Sequence, residues 1–430
     1  MLITQFRILK SLRLKPIGLV FFLLHGALVF GLSYRIHQRM AHEPGLSKYH
    51  FSPHIERMDS GYYRGIAQYG YQFSGLTGQL QAVSTGKGKL ENIDRVFFGV
   101  NSDTNNVGFF PLYPYLARMF FTFGVPIEWA LTLVTWIACV LFWQLWFCLT
   151  FESSFGRRTQ FWGGLAFLFL PTSFYLWVSY SEALVLSVTL LTLKGWIEDI
   201  DGNLPPFRAA RGLALWGLLK VTVIPVTVAI FLFSLYWPFR SRTLKQASKE
   251  ILLSLRNHWQ SWLGWLTISF SGLLFFIGYC AIRFNEPFLY AKMQRYSWHH
   301  ADAGLASILN IDNFVGTLFK AQTSGNGFFA FVPLILGVTA LAKPKREFKL
   351  SAVMILAVML TIYYGMAADY MTACVRYALM AVPMFFIIGN WLAGIESRLA
   401  RSFVGGLLFY GGFYWARVWF EIFLRGDWLA

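Results

Sequence analysis

The chain has 430 residues, of which 56% are hydrophobic and 19% aromatic, and it carries a formal net charge of +16. Its mean hydropathy of +0.49 excludes an ordinary soluble domain, because the apolar residues come in runs of membrane length. The excess Lys and Arg residues fall largely in short loops between those runs. This charge pattern is typical of membrane topology, so no nucleic-acid partner is expected.

The first apolar run, 16–34, follows a basic N-terminal segment and is about long enough to cross a bilayer. It lacks a small-residue cleavage site of the A-x-A type, so residues 1–36 are predicted to form an uncleaved signal-anchor helix. Because basic flanks stay in the cytoplasm, the N-terminus is placed inside. The polar stretch 37–108 then becomes an external loop that carries the catalytic residue.

Within that loop, the segment MDSGYYRGIAQYGY (58–71) has the clearest chemical content. Tyr62, Ile66 and Tyr69 recur at helical spacing, which predicts a short amphipathic helix with its aromatic face in the lipid. Asp59 stands at the start of this helix. Its carboxylate is a candidate catalytic base, and the alternative is that Asp59 only caps the helix N-terminus.

Further apolar runs follow along the rest of the chain. They lie near 109–124, 127–150, 161–178, 182–197, 212–237, 261–282, 327–342, 350–367, 373–394 and 403–424. With the first run they predict about 10–13 transmembrane or partial helices. No internal repeat or linker is visible, so residues 1–430 are predicted to be one all-α polytopic membrane domain, with 109–430 as the remaining helical bundle.

The run 109–124 is short and contains Pro111 and Pro114. If this run crossed the membrane, Arg157 and Arg158 would lie outside, against the usual placement of basic loops. We therefore interpret the run as re-entrant or interfacial.

The run 212–237 has basic residues on both sides. Both flanks can be cytoplasmic only if the run is a hairpin of two short helices. Lys220 and Thr222 would then lie near the turn, facing the outer leaflet. A lysine in that position is costly unless it has a function.

Five segments occur in a recognisable order along the chain. They are MDSGYYRGIAQYGY (58–71), FFPLYPYLARM (109–119), PTSFYLWVSYSEALVLS (171–187), LWGLLKVTVIP (215–225) and RYALMAVPMF (376–385). Together they resemble the family of the GPI-anchor mannosyltransferase PIG-V, including its bacterial and archaeal relatives. The chain departs from the family pattern at Met58, where an aromatic residue is expected, and at Lys220, where arginine is expected.

The PIG-V family belongs to the GT-C superfamily of membrane glycosyltransferases, which take sugars from polyprenyl or dolichyl phosphate on the external or lumenal side. The resemblance implies a GT-C-type helical bundle and transfer of mannose with inversion at its anomeric carbon. It also implies that a first-loop aspartate acts as the base, and this position falls on Asp59.

The reaction needs one group that takes the proton of the acceptor hydroxyl and other groups that stabilise the departing phosphate. A carboxylate meets the first need, and cations meet the second. The candidate site comprises Asp59 as catalytic base, with Lys220, Arg376, Arg295, Glu182 and Tyr63 as donor-phosphate or substrate-binding residues.

Structural alternatives exist for several of these residues. Lys220 could be a snorkelling anchor, and Arg295 could be a contact to lipid headgroups. Glu182 fits a capping box with Ser179 at the start of a helix. The adjacent His299 and His300 cannot pair as metal ligands at helical spacing, so no metal is expected. No cofactor is expected either.

The sequence thus predicts a membrane-embedded mannosyltransferase whose partners are a lipid-linked sugar donor and a lipid or glycan acceptor. An enzyme that transfers arabinose or glucose from the same kind of carrier is an alternative. A transporter or flippase is disfavoured, because no repeat is visible and the acidic residues gather outside. The absence of any N-x-S/T sequon fits the plasma membrane of a prokaryote, with the active site external.

Overall fold

The structure is a computed structural model that describes residues 15–43, 51–56, 59–73, 106–151, 156–200, 204–241, 243–297, 326–343, 345–366 and 374–425. Within these ranges the regular structure is helical and contains no β-strand. The α-helices are α1 (Pro16–Met40), α2 (Ser60–Tyr69), α3 (Leu112–Thr122), α4 (Ile127–Phe151), α5 (Arg157–Leu168), α6 (Glu182–Asp199), α7 (Phe207–Gly217), α8 (Val223–Tyr236), α9 (Leu244–Phe284), α10 (Leu289–Ser297), α11 (Asn326–Leu341), α12 (Arg346–Met366), α13 (Cys374–Ala378), α14 (Met384–Gly394) and α15 (Arg398–Arg425). Short 3₁₀ turns lie at Ser173–Leu176, Trp237–Phe239 and Leu379–Ala381.

Among the described residues, three helices are long and apolar enough to cross a membrane: α1, α4 and α9. Helix α1 begins at Pro16, where the missing backbone N–H needs no partner, and it extends to Met40, past the predicted end at residue 36. Its start lies beside the end of α4, because the side chain of Gln144 accepts a 2.8 Å hydrogen bond from the backbone of Lys15. The predicted total of helical crossings stays a prediction.

Several of the predicted apolar runs form helices too short to cross the bilayer alone. Helix α3 has 11 residues, about 16 Å, as expected for a re-entrant or interfacial segment. The run 161–178 does not form one continuous helix. Helix α5 ends at Leu168, and Pro171 and a 3₁₀ turn follow, since proline cannot continue the hydrogen-bond ladder.

The predicted hairpin around Lys220 is confirmed. The last turns of α6 contact both the start of α7 and the end of α8. A Cβ on Gly195 would lie 2.6 Å from the backbone of Arg208, and the indole of Trp196 donates a 2.8 Å hydrogen bond to Ser234. Helices α7 and α8 therefore run in opposite directions, with Lys220 in the turn between them.

Helices α5 and α14 pack backbone to backbone. A Cβ on Gly163 would clash with the carbonyl of Phe385, and a Cβ on Gly389 would clash with the carbonyl of Thr159. Such close approach between helices in a membrane requires small residues at the contact. Helix α5 leads into the segment before α6, and α14 follows the segment that contains α13. The α5–α14 contact thus brings these two distant parts of the chain together.

Candidate functional site

Four predicted residues form one charged cluster at the start of α6. Arg376 Nη1 lies 2.7 Å from Asp59 Oδ2, and Arg376 Nε lies 3.3 Å from Glu182 Oε1. Lys220 Nζ lies 3.5 Å from the same Glu182 oxygen. Asp59, Glu182 and Arg376 are 7%, 2% and 4% exposed, so their charges are almost fully removed from solvent. Two carboxylates and two cations balance each other, which such burial requires.

Asp59 occupies the N-cap position of α2 but does not cap the helix. Its side chain accepts no capping hydrogen bond, and its backbone is already helical (φ −58°, ψ −22°), whereas a capping residue is typically extended. The backbone N–H of Asp59 donates to the hydroxyl of Tyr180 at 3.3 Å, and the carboxylate turns to Arg376. The geometry therefore speaks against the cap alternative.

The capping-box interpretation of Glu182 is wrong. A box needs the glutamate at the third helical position, but Glu182 is the first residue of α6 and the side chain of Ser181 makes no capping bond. The first turn of a helix favours a negative charge, and Lys220 and Arg376 add positive charge at the carboxylate. Glu182 is thus part of the charged cluster.

A short extended contact holds the chain just before α6. Ile55 and Val178 form an isolated parallel β-bridge, and the N–H of Ser179 donates a 3.0 Å hydrogen bond to the carbonyl of Ile55. This contact joins the loop that leads to Asp59 with the segment that leads to Glu182. The same backbone contact therefore helps to position both carboxylates.

Three tyrosine rings surround the guanidinium of Arg376. The rings of Tyr377, Tyr180 and Tyr175 have centroids 4.8, 5.1 and 5.9 Å from its central carbon. Arg376 Nη2 also donates a 3.0 Å hydrogen bond to the hydroxyl of Tyr377. Cation–π attraction adds to the ion pairs in such a desolvated site. Sequence reasoning missed these tyrosines, although Tyr377 adjoins Arg376 and Tyr180 lies two residues before Glu182.

Lys220 lies in the turn between α7 and α8 with its side chain directed into the cluster. Its ammonium lies 5.1 Å from the ring centroid of Tyr377 and near Glu182. The turn itself is held by a 2.9 Å hydrogen bond from the indole of Trp216 to Thr222. A snorkelling lysine would extend toward water instead, so the observed direction favours a role in the site.

Tyr63 supports the cluster from α2. It is buried, and its hydroxyl makes a 2.9 Å hydrogen bond with Ser181, directly before Glu182. Burial, together with the negative charge of Glu182, raises the pKa of Tyr63 well above its usual range. The phenol is therefore neutral. Tyr63 therefore links α2 to the start of α6 at a second point, in addition to the contacts that Asp59 makes.

The aromatic face of α2 does not lie in the lipid as predicted. Ile66 is fully buried against neighbouring helices, and the ring of Tyr62 stacks on Phe109 at 4.7 Å. Only Tyr69, 63% exposed, is free of such packing. This face is buried because α3 and the residues before it pack against it, and the spacing of residues within α2 cannot reveal such a contact.

The side chain of Arg295 lies outside the described residues, so its predicted role stays a prediction. Its helix, α10, packs Tyr290 against Phe110 with ring centroids 4.6 Å apart. Across the part of the chain that the structure describes, no group of three or more His, Cys, Asp or Glu residues is placed to hold a metal ion.

No family model, no curated protein and no solved structure matches this chain. The resemblance to the PIG-V family therefore rests on the five sequence segments.

Proposed function

We propose that this chain is an integral membrane glycosyltransferase with Asp59 as general base. It transfers mannose, with inversion, from a polyprenyl- or dolichyl-phosphate carrier to a lipid-linked or glycan acceptor at the external face. The observation that carries the proposal is the buried cluster in which Arg376 contacts both Asp59 and Glu182. It unites a carboxylate fit for proton abstraction with cations fit for a phosphate, and four of the five PIG-V-like segments contribute its members.

The reaction is a single displacement at the anomeric carbon. The acceptor hydroxyl oxygen forms the new bond to this carbon as its proton passes to Asp59. The bond from the carbon to the phosphate oxygen breaks, and its electron pair leaves with the carrier phosphate. The phosphate thereby changes from a diester with one negative charge to a monoester that carries a second. Arg376 and Lys220 stabilise this developing charge, which lowers the barrier more than it tightens binding of the donor.

The observed pairing gives Arg376 a second task in the proposed mechanism. Its Nη1 and Nη2 atoms donate hydrogen bonds to Asp59 and Tyr377, and its Nε lies 3.3 Å from Glu182 Oε1 without a hydrogen bond. While Nη1 donates to Asp59 Oδ2, this hydrogen bond competes with an acceptor hydroxyl for the same carboxylate oxygen. We propose that the donor phosphate displaces Asp59 from Nη1. Binding of the donor would then release the base, so that Asp59 becomes active only when the sugar is present.

The position of the cluster supports an external site. Glu182 is the first residue of α6, whereas Asp199 at the other end of this 18-residue helix accepts a 2.8 Å hydrogen bond from Arg208. The two ends are about 27 Å apart. Because Arg208 and Arg211 lie in the first turns of α7 beside the Asp199 end, the positive-inside rule places this end in the cytoplasm. The cluster then belongs to the external half of the membrane.

The experiment is reconstitution of the purified protein in liposomes with radiolabelled polyprenyl-phospho-mannose and a panel of acceptor lipids. The proposal expects labelled acceptor and free polyprenyl phosphate in equal amounts, and loss of both with Asp59→Asn. The same assay with polyprenyl-phospho-arabinose and polyprenyl-phospho-glucose tests the alternative sugars. Movement of intact donor across the bilayer without cleavage would identify a flippase and overturn the proposal.

A further inference from the structure

Helix α9 is much longer than a membrane crossing needs. It has 41 residues, about 61 Å if straight, against a hydrocarbon core of about 30 Å. Its position along the bundle axis is given by Trp265, whose indole donates a 2.8 Å hydrogen bond to the carbonyl of Pro206, directly before α7. Farther along, Leu273 packs against Gly217 at the end of α7, so the two helices run parallel.

This register places the first part of α9 beyond the basic end of the bundle. Pro206 lies just before Arg208, so the segment 244–258 extends past the level of that arginine. The helix is interrupted at His258, whose backbone is not helical (φ −124°, ψ 23°). The first residue of the segment is stabilised independently by a capping box of Thr243 and Gln246. The segment is therefore a separately capped helix joined to the span by a kink.

The exposed surface of this segment has two different sides. One side carries basic and apolar residues at spacings of three and four, namely Lys245, Lys249, Leu252 and Arg256, and Trp259 follows directly after the kink. We call these five residues the basic stripe. All five side chains are exposed, with Leu252 at 68% and Trp259 at 57%. The next side carries Gln246, Glu250, Leu253 and Asn257. The acidic residue of the segment thus lies off the basic stripe. Ala247, on the remaining side, is buried.

We infer that the basic stripe is a binding surface for anionic phospholipid headgroups on the leaflet opposite the charged cluster. The kink at His258 allows the segment to lie along the membrane surface. Leu252 and Trp259 then enter the boundary between headgroups and acyl chains, where tryptophan is favoured, while Lys249 and Arg256 reach the phosphates. Positive charge on the lipid-facing side selects negatively charged headgroups. The inference does not depend on the proposed transferase activity.

The test uses a bimane fluorophore on a single cysteine, in a protein whose four native cysteines are replaced by alanine and whose melting temperature is unchanged. Ser248→Cys reports from the edge of the basic stripe, and Asn257→Cys from the polar side. Each labelled protein is placed in liposomes of phosphatidylcholine, with or without phosphatidylglycerol, that contain a lipid with a nitroxide on its headgroup. Quenching of bimane then measures its contact with the headgroup layer.

We expect bimane at Ser248 to be quenched at least twofold more than bimane at Asn257 when phosphatidylglycerol is present. The pair Lys249→Gln and Arg256→Gln should abolish this difference, as should high salt, which screens exposed charges. The matched pair Lys343→Gln and Lys345→Gln, two exposed lysines in another loop, should leave it unchanged. Equal quenching at the two positions, or quenching independent of phosphatidylglycerol or of Lys249 and Arg256, would overturn the inference.

Discussion

Arg376 Nη1 lies 2.7 Å from Asp59 Oδ2, although the two residues are 317 positions apart in the chain. The arginine side chain is 5% exposed and the aspartate side chain 10%, so the pair is sheltered from solvent screening. A contact of this kind couples the proposed base directly to a proposed phosphate ligand. Each residue can therefore be tested through the other.

The first prediction concerns Asp59→Asn, which keeps the volume of the side chain but removes the basic carboxylate. Turnover should fall roughly 10²- to 10⁴-fold, the usual contribution of a general base. The control is Asp199→Asn, the same chemical change at the opposite end of α6, where activity should persist. The measurement is specific activity per inserted molecule. Activity of Asp59→Asn near that of the parent would remove Asp59 from the mechanism, since the asparagine amide cannot act as a general base.

Replacement of Arg376 by alanine should reduce both stability and activity. It leaves Asp59 buried without its cation and Glu182 with Lys220 alone, and breaking a buried pair in this way costs about 3–5 kcal/mol. Arg376→Lys should recover only part of the activity, because an ammonium cannot reach three partners in the plane of a guanidinium.

The double variant Asp59→Asn with Arg376→Gln separates these two effects. Removing both charges should restore much of the melting temperature, since no lone carboxylate remains at Asp59, yet the proposed transferase activity should stay absent. Recovery of activity together with stability would show that the pair has only a structural role.

Lys220→Ala should lower turnover at saturating donor by roughly 10²- to 10³-fold, as for other lost groups that stabilise a developing anion. Donor affinity should change less, because the added phosphate charge appears in the transition state. The matched control is Lys194→Ala, a lysine within the apolar helix α6, which pairs with Glu198 at 2.6 Å. Normal turnover in the correctly inserted Lys220→Ala protein would instead indicate a membrane anchor.

The contact between α5 and α14 predicts a specific stability difference. Gly389→Ala places a methyl group against the backbone carbonyl of Thr159, so overpacking should destabilise the protein by about 1–3 kcal/mol. Gly394→Ala, in the same helix, meets no atom within 4 Å and should be neutral or slightly stabilising. Thermal unfolding in detergent measures both variants. Equal melting temperatures would contradict the close packing of the two helices.

The orientation of the chain predicts which engineered cysteines react from outside. Tyr69→Cys, at an exposed position of α2, should react with a membrane-impermeant maleimide in intact cells. Ser241→Cys, exposed beyond the end of α8, should react only after permeabilisation. The native Cys139, Cys148 and Cys280 are buried and should contribute little background. Reaction of both engineered cysteines from one side would rule out the proposed topology.

The hairpin at Lys220 was predictable because charge and length are local properties of a sequence. Basic residues on both flanks of one apolar run require two crossings, whatever the rest of the chain does. The members of the charged cluster could also be selected, since a charged residue in an apolar context suggests a function. Lys220 and Arg376 are such residues, whereas Asp59 is indicated by its position in the polar loop and by the resemblance.

The pairing within the cluster could not be predicted from the sequence. Whether Arg376 faces Asp59 or open solvent depends on how α5 and α14 pack, and that contact depends on two distant glycines. The prediction that Ile66 faces the lipid was wrong for a related reason, because the residues that bury this face of α2 belong to another segment of the chain. Asp59 and Glu182 also resembled capping residues, since local patterns do not show where a side chain turns.

The 317 positions between Asp59 and Arg376 also order the biosynthesis of the protein. Glu182 and Lys220 emerge from the ribosome close together and can neutralise each other early. Arg376, the partner of Asp59, is translated only after most of the chain has been made. Completion of the charged cluster is therefore a late event in membrane insertion. A chain truncated before α13 would retain an uncompensated aspartate at this position, which quality-control proteases could recognise as a mark of incomplete assembly.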